Sequence, residues 1–209
     1  MRLIQLACCV ALSGCCAGIA FAQLKPPERA TRIGIGVSAG RSWLSSMTDA
    51  PNARTSPSSS DAIELRVDHD LRPRLALRVA IGLSARDADA SRLYILPTAI
   101  RLRTRDLIGG VAWTAWRRGR LRTRLTTEVA LSVIDSMDVL SLDKRFIEGS
   151  IPSRAAESSV ILGTELLIDT RYPIAFALMY RHGLTVVSEP NTFRARSFDA
   201  RINVYPFAR

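Results

Sequence analysis

Apolar residues recur at every second position along most of the chain, the period of a β-strand rather than of a helix. Ile33, Ile35, Val37 and Ala39 alternate with Gly34, Gly36, Ser38 and Gly40. Ile63, Leu65 and Val67 alternate with Glu64, Arg66 and Asp68, and Leu75, Leu77, Val79, Ile81 and Leu83 with Ala76, Arg78, Ala80, Gly82 and Ser84. Leu121, Leu125, Val129, Leu131 and Val133 share a face, opposite Arg122, Arg124, Thr126, Glu128, Ala130 and Ser132. Val160, Leu162, Leu166 and Ile168 oppose Gly163, Glu165 and Asp169. Phe176, Leu178 and Tyr180 oppose Ala175, Ala177 and Arg181, and Phe198, Ala200, Ile202 and Val204 oppose Asp199, Arg201 and Asn203. Each strand thus has one apolar face and one small or charged face. A soluble antiparallel sheet shows the same alternation. Segments of about ten residues, with both charge signs on the second face, fit a tilted membrane-spanning strand around a polar lumen.

The connections alternate in length. Short turns with Pro or Gly punctuation fall at 71–74, 117–120 and 169–173. Longer links fall at 41–60, 86–97 and 134–158, with a shorter one at 188–192. That alternation predicts an all-β, closed, antiparallel up-and-down transmembrane β-barrel of about eight strands, with ten as the alternative if a strand hides in 134–158. The third hairpin should be tall, rising from Leu75, turning between Asp87 and Pro97 and descending to Trp116, with a phase slip near Arg105 and Asp106. Segments 45–60 and 134–158 read as surface loops, the first being rich in Ser, Pro and Thr.

Several stretches carry a family resemblance. They are Leu107-Ile108-Gly109-Gly110-Val111-Ala112-Trp113, then Leu121 to Val133 after a Gly turn, then Val160-Ile161-Leu162-Gly163-Thr164-Glu165, then Met179-Tyr180-Arg181-His182-Gly183-Leu184-Thr185. On these the chain resembles the small outer-membrane β-barrel domain family, the porin-like group with OmpX-type and PorT-like eight-stranded barrels. The resemblance implies a Gram-negative cell envelope and the barrel-insertion machinery as a partner. It also implies a last strand ending in an aromatic residue; here Phe207 is followed by Ala208 and Arg209. Tyr205 and Phe207 fall on the parity of Asp199 and Arg201, so Pro206 marks a slip.

The first 22 residues read as a cleaved export signal, leaving a barrel domain over 23–209. Arg2 supplies the positive start, Leu3 to Leu12 the apolar run, and Ala20-Phe21-Ala22 the small-x-small cleavage site. Leu12-Ser13-Gly14-Cys15 offers a rival lipoprotein cut at Cys15. All four cysteines (Cys8, Cys9, Cys15, Cys16) precede Gln23, so the exported chain has no disulfide, thiolate metal site or cysteine nucleophile.

Net charge is +10, a value that invites nucleic acid as a partner. The arginines are dispersed through strand-like segments, with no basic helix or zinc pattern beside them, so outer-membrane lipid and lipopolysaccharide are the expected partners of a monomeric barrel. Twelve residues form the expected lumen charge network: Glu64, Arg66, Asp68, Arg78, Arg122, Arg124, Glu128, Glu165, Asp169, Arg181, Asp199 and Arg201. An eight-stranded lumen holds side chains and little else, so arginine and carboxylate forks should fill it. No catalytic set, metal site or cofactor is expected. His69 and His182 read as strand-end residues. A lipid A-modifying enzyme would need a nucleophile two residues after His182, where Leu184 stands. Gly34-x-Gly36 and Gly109-Gly110 lack the helix and Lys of a phosphate loop and read as room for bulky inward neighbours. Trp43, Trp113, Trp116, Tyr94, Tyr172 and Tyr205 are expected in interfacial girdles. The remaining alternatives are a narrow porin and a soluble lipocalin-like barrel with its apolar faces turned inward.

Overall fold

The computed structural model describes residues 30–46, 56–89, 98–141, 147–150, 155–187 and 193–208. The expected signal segment, Cys15 and Tyr94 lie outside them. Nine strands are present: β1 (Thr31–Ser46), β2 (Ser56–Arg72), β3 (Leu75–Asp89), β4 (Thr98–Arg118), β5 (Leu121–Ser141), β6 (Ile147–Ser150), β7 (Ala156–Ile168), β8 (Ile174–Gly183) and β9 (Phe193–Ala208). The sheet runs β4-β3-β2-β1-β9-β8-β7-β5, and β4 pairs with β5 to close it. All pairings are antiparallel, and all join chain neighbours except β1–β9, which joins the first and last strands, and β5–β7, which skips β6. The barrel therefore has eight strands. The strand hidden in 134–158 is β6, which pairs only with the upper end of β5 and takes no part in closure.

The short turns and both ends of the described barrel lie together at one rim. Gly119 takes a left-handed φ of 57° in the β4–β5 turn, a conformation other residues adopt at a cost. At the opposite rim the strands run further than their alternation suggested: β1 reaches Ser46, β2 begins at Ser56, and β5 continues to Ser141. There β2 is Ser-rich and adds no apolar stripe, whereas β1 and β5 turn Leu44, Ile134 and Met137 inward.

The expected phase slip at Arg105 and Asp106 is absent. β4 keeps one parity, with Leu102, Thr104, Asp106 and Ile108 buried and Arg103, Arg105 and Leu107 exposed. The irregularity sits across from it, where β5 skips Asp135 in its pairing with Arg103 and Thr104. Ile100 and Leu102 suggested a slip because they are apolar on the inward parity. They join Leu44, Ala88, Ile134, Met137, Val187, Phe193 and Ala195 in an apolar plug at the long-link end of the lumen. On β9 the slip at Pro206 is present. The β1 register shifts between Ile33 and Ile35, so Tyr205 turns inward and Phe207 outward.

The aliphatic rows face outward on every barrel strand, and the charged rows face in. Ile35, Val37, Ile63, Ile81, Leu83, Leu107, Leu131, Val133, Leu178 and Phe198 are each about half exposed. Inward glycines make room for the charges beside them. In register, Gly110 lies between Arg78 of β3 and Glu128 of β5. A Cβ there would sit 2.3 Å from the Thr127 carbonyl oxygen and 2.6 Å from the Glu128 Cα, whereas one at the outward Gly109 meets nothing within 4 Å. Gly110→Val should therefore cost about 1–3 kcal/mol of stability through overpacking, and Gly109→Val should leave it within about 0.5 kcal/mol. Urea titration of the folded gel band checks the pair.

Candidate functional site

A guanidinium taken from water needs opposite charge and a full set of acceptors. The barrel interior supplies both because β-strand alternation turns every second side chain inward and closure brings eight such rows around one axis. Arg66, Arg78 and Arg124 are almost wholly buried, as are Asp68, Glu128 and Glu165.

Asp68 is the hub of the lower layer. It accepts hydrogen bonds from Arg78 Nη2 at 2.9 Å, Arg124 Nη2 at 3.0 Å and the Tyr205 hydroxyl at 3.1 Å. Glu165 binds the same two arginines, accepting from Arg78 Nη2 at 2.6 Å and from Arg124 Nε at 2.5 Å. Above it, Glu128 accepts from Arg66 Nη1 at 2.6 Å and Arg78 Nη1 at 3.3 Å. Arg66 Nε donates to Glu64 at 2.8 Å. Arg201 Nη1 bridges Glu64 and Glu128 at 3.3 and 3.5 Å. Five strands thus contribute to one chain of alternating charge.

Towards the long links, Arg181 pairs with Asp106 at 2.8 Å and donates to Ser159 at 2.8 Å and Ser132 at 2.6 Å. Asp199 accepts from Ser197 at 2.6 Å and bonds Ser60, so it stands apart from the arginine chain. At the short-turn rim Arg122 pairs with Asp169, and Arg32 forks onto Asp70 at 3.0 and 2.9 Å. Arg122 and Asp169 are only half-buried.

Sequence reasoning missed several partners. Arg32 lies one residue before, and Asp70 two residues after, the stretches whose alternation was legible. Asp106 lay at the supposed slip, and Glu157, which binds Arg86 at 2.7 Å, lay in a supposed loop. Strand parity, carried one turn further, would have found each of them. Tyr205 is a correction: it is fully buried against Asp68 rather than in a girdle, because the Pro206 bulge displaces only the residues after it. Trp113, Trp116 and Tyr172 are exposed near the short-turn rim, and Trp43 is half-buried near the other.

The network leaves little free space. An enclosed cavity of about 30 Å³ lies among Ser60, Glu64, Arg86, Arg181, Asp199 and Arg201, room for a water molecule or two. His69 bonds Thr31 at 2.8 Å, and His182 lies 3.4 Å from the Tyr180 hydroxyl, neither in the lumen. Among the described residues no group of three His, Cys, Asp or Glu side chains is arranged to hold a metal.

Removing one member of this network strands its partners. Glu128→Leu should cost about 3–5 kcal/mol, since it leaves Arg66, Arg78 and Arg201 short of an anion. Arg105→Gln breaks only the exposed pair with Asp135 and should cost under about 1 kcal/mol. Urea unfolding in the same bilayer separates the two.

No protein-family model matches the sequence, and the curated proteins give no match. Solved structures do. The crystal structure of Neisserial surface protein A (NspA) superposes with a TM-score of 0.52 at 13% identity, over 84% of this chain and 98% of that one. Ail, the attachment invasion locus protein of Yersinia pestis, gives 0.42 at 10% identity, over 85% and 99%; its complex with the heparin analogue sucrose octasulfate gives 0.41 at 11%. NspA and Ail are eight-stranded outer-membrane barrels. By strand number, pairing order and closure, this chain has the fold of the small eight-stranded outer-membrane β-barrels.

Proposed function

We propose that the protein is an integral outer-membrane barrel that acts as an envelope element or through its long-link surface, with no catalytic role and a lumen closed to solutes. The observation that carries this reading is the outward belt of aliphatic side chains around all eight barrel strands. Soluble monomers rarely expose a contiguous apolar patch above about 600 Å². Lipid acyl chains cover such a belt at no cost in hydrogen bonding, because closure leaves no unpaired edge among the eight barrel strands. Export by cleavage after Ala22 fits this destination.

Three alternatives fare worse. A lipocalin-like barrel needs an apolar cavity, and here the interior is ionic below the plug and filled throughout. A porin needs a water-filled path, and the arginine forks cross the axis where it would run. A lipid A-modifying enzyme needs a base beside a nucleophile; His182 has Tyr180 beside it, and Ser188 lies outside the described residues.

Fractionation and gel mobility test the proposal together. The chain should remain with outer membranes through carbonate washing, and unheated samples should migrate apart from boiled ones. Planar bilayers should show no discrete conductance steps. Recovery in the soluble fraction without detergent defeats the membrane reading, and reproducible ion-selective steps defeat the closed lumen.

A further inference from the structure

Inside the barrel, guanidiniums and carboxylates match close to one for one, so the chain's excess positive charge lies outside the lumen. Among the described residues Arg72, Arg74, Arg117, Arg118, Arg120 and Arg171 cap the short turns. A second group lies on the outer wall near the long links, on three adjacent strands.

The sheet register places this group in rows. On the outer face His182 of β8, Arg196 of β9 and Trp43 of β1 lie side by side. One step toward the membrane centre the row is Tyr180, Phe198 and Arg41. One step outward, Arg194 lies beside Ser45. The belt starts directly below, with Leu178, Ala200 and Ala39, then Phe176, Ile202 and Val37. The Trp43 and Tyr180 rings approach across β9 to 6.4 Å between centroids.

This patch holds donors without acceptors. Trp43 Nε1, Arg194 Nε and Arg196 Nε are shielded from solvent and have no hydrogen-bond partner among the described residues. Elsewhere on the wall Arg105 is answered by Asp135, and Arg101 by Asp87. Arg41, Arg194 and Arg196 form no ion pair with any described carboxylate. The outward acid nearest them in register is Asp61, opposite Ala39 on the far side of β1. Arg194 and Arg196 stand two positions apart on one face of β9, and Arg41 lies diagonally from Arg196 on β1, so an anion among them supplies the missing acceptors and neutralises like charges.

We propose that Arg41, Trp43, Arg194 and Arg196, with the Tyr180 hydroxyl, form a binding site for the phosphate of a membrane lipid headgroup. The inference rests on the membrane reading above. The position decides for a lipid over a free anion: the belt continues straight down from the patch, so acyl chains attached to that phosphate lie along Phe198, Ala200 and Ile202. Planar guanidiniums accept phosphate oxygens in pairs, and the two aromatic rings wall the headgroup from the side.

The test uses the full exported chain folded in maltoside micelles and native mass spectrometry, with lipid A and its dephosphorylated form as probes. Wild type should retain the phosphorylated lipid at least about tenfold better, and Arg194→Gln with Arg196→Gln should remove that preference. Arg117→Gln with Arg118→Gln, the same charge loss at the opposite rim, should keep it. Equal preference in the Arg194/Arg196 variant, or equal loss in the opposite-rim variant, overturns the site. Displacement of the lipid by millimolar inorganic phosphate overturns the lipid assignment in favour of a free-anion site. If the double variant does not fold, Trp43→Phe and Arg41→Gln are compared by the same ratio. A chain that folds without detergent refutes the membrane reading itself, whereas a heat-modifiable barrel with no lipid preference refutes the site alone.

Discussion

Burying an arginine is unfavourable by several kcal/mol unless a carboxylate answers it with good geometry. The barrel meets that condition for Arg66, Arg78 and Arg124 only because Asp68, Glu128 and Glu165 come from different strands and converge on one axis. Asp68 lies on β2, Glu128 on β5 and Glu165 on β7; β5 and β7 pair, but β2 pairs with neither. An open sheet would hold Asp68 far from the other two carboxylates. Ionic satisfaction and closure therefore require each other, and the small residues follow from the same need: Gly110 and Gly82 are where a side chain would displace Glu128 or Glu64.

The interior changes character along its axis. Below lies the arginine–carboxylate chain, and above it Ile100, Leu102, Met137 and Phe193 fill the lumen with apolar side chains. That plug lies at the long-link rim, beyond the outward belt on the same strands. Hydrophobicity and inward parity coincide there, the reverse of the arrangement lower down. Ionic below and apolar above, the lumen is filled by two different solutions to one packing problem.

Much of this was legible as alternation. The rows Ile33 to Ala39, Leu75 to Leu83 and Leu121 to Val133 face outward together, and Arg66, Asp68, Arg78, Arg124, Glu128 and Glu165 face inward together. Alternation fails as a guide where the inner face is itself apolar. Ile100 and Leu102 imitate an outward row, which suggested a bulge near Arg105, whereas β4 bulges only at Ala115. It also fails where neither face is apolar, as in the Ser-rich upper end of β2. Tyr205 was hidden by chemistry rather than by pattern: an aromatic near a strand end suits an interface, but this one has a buried Asp68 within reach of its hydroxyl. The unpaired arginines of β9 needed the register with β1 and β8, which no single strand reveals.

The central claim is an orientation, with aliphatic rows against lipid and ionic rows around the axis. No cysteine follows Cys16, so single spin labels can be placed at will in a chain begun at Gln23. Labels at Val79, Val129 and Ile202 in bilayers should collide readily with oxygen and hardly at all with a water-soluble nickel chelate, as acyl-chain surroundings require. The opposite ranking at all three would place these rows away from lipid and contradict the account.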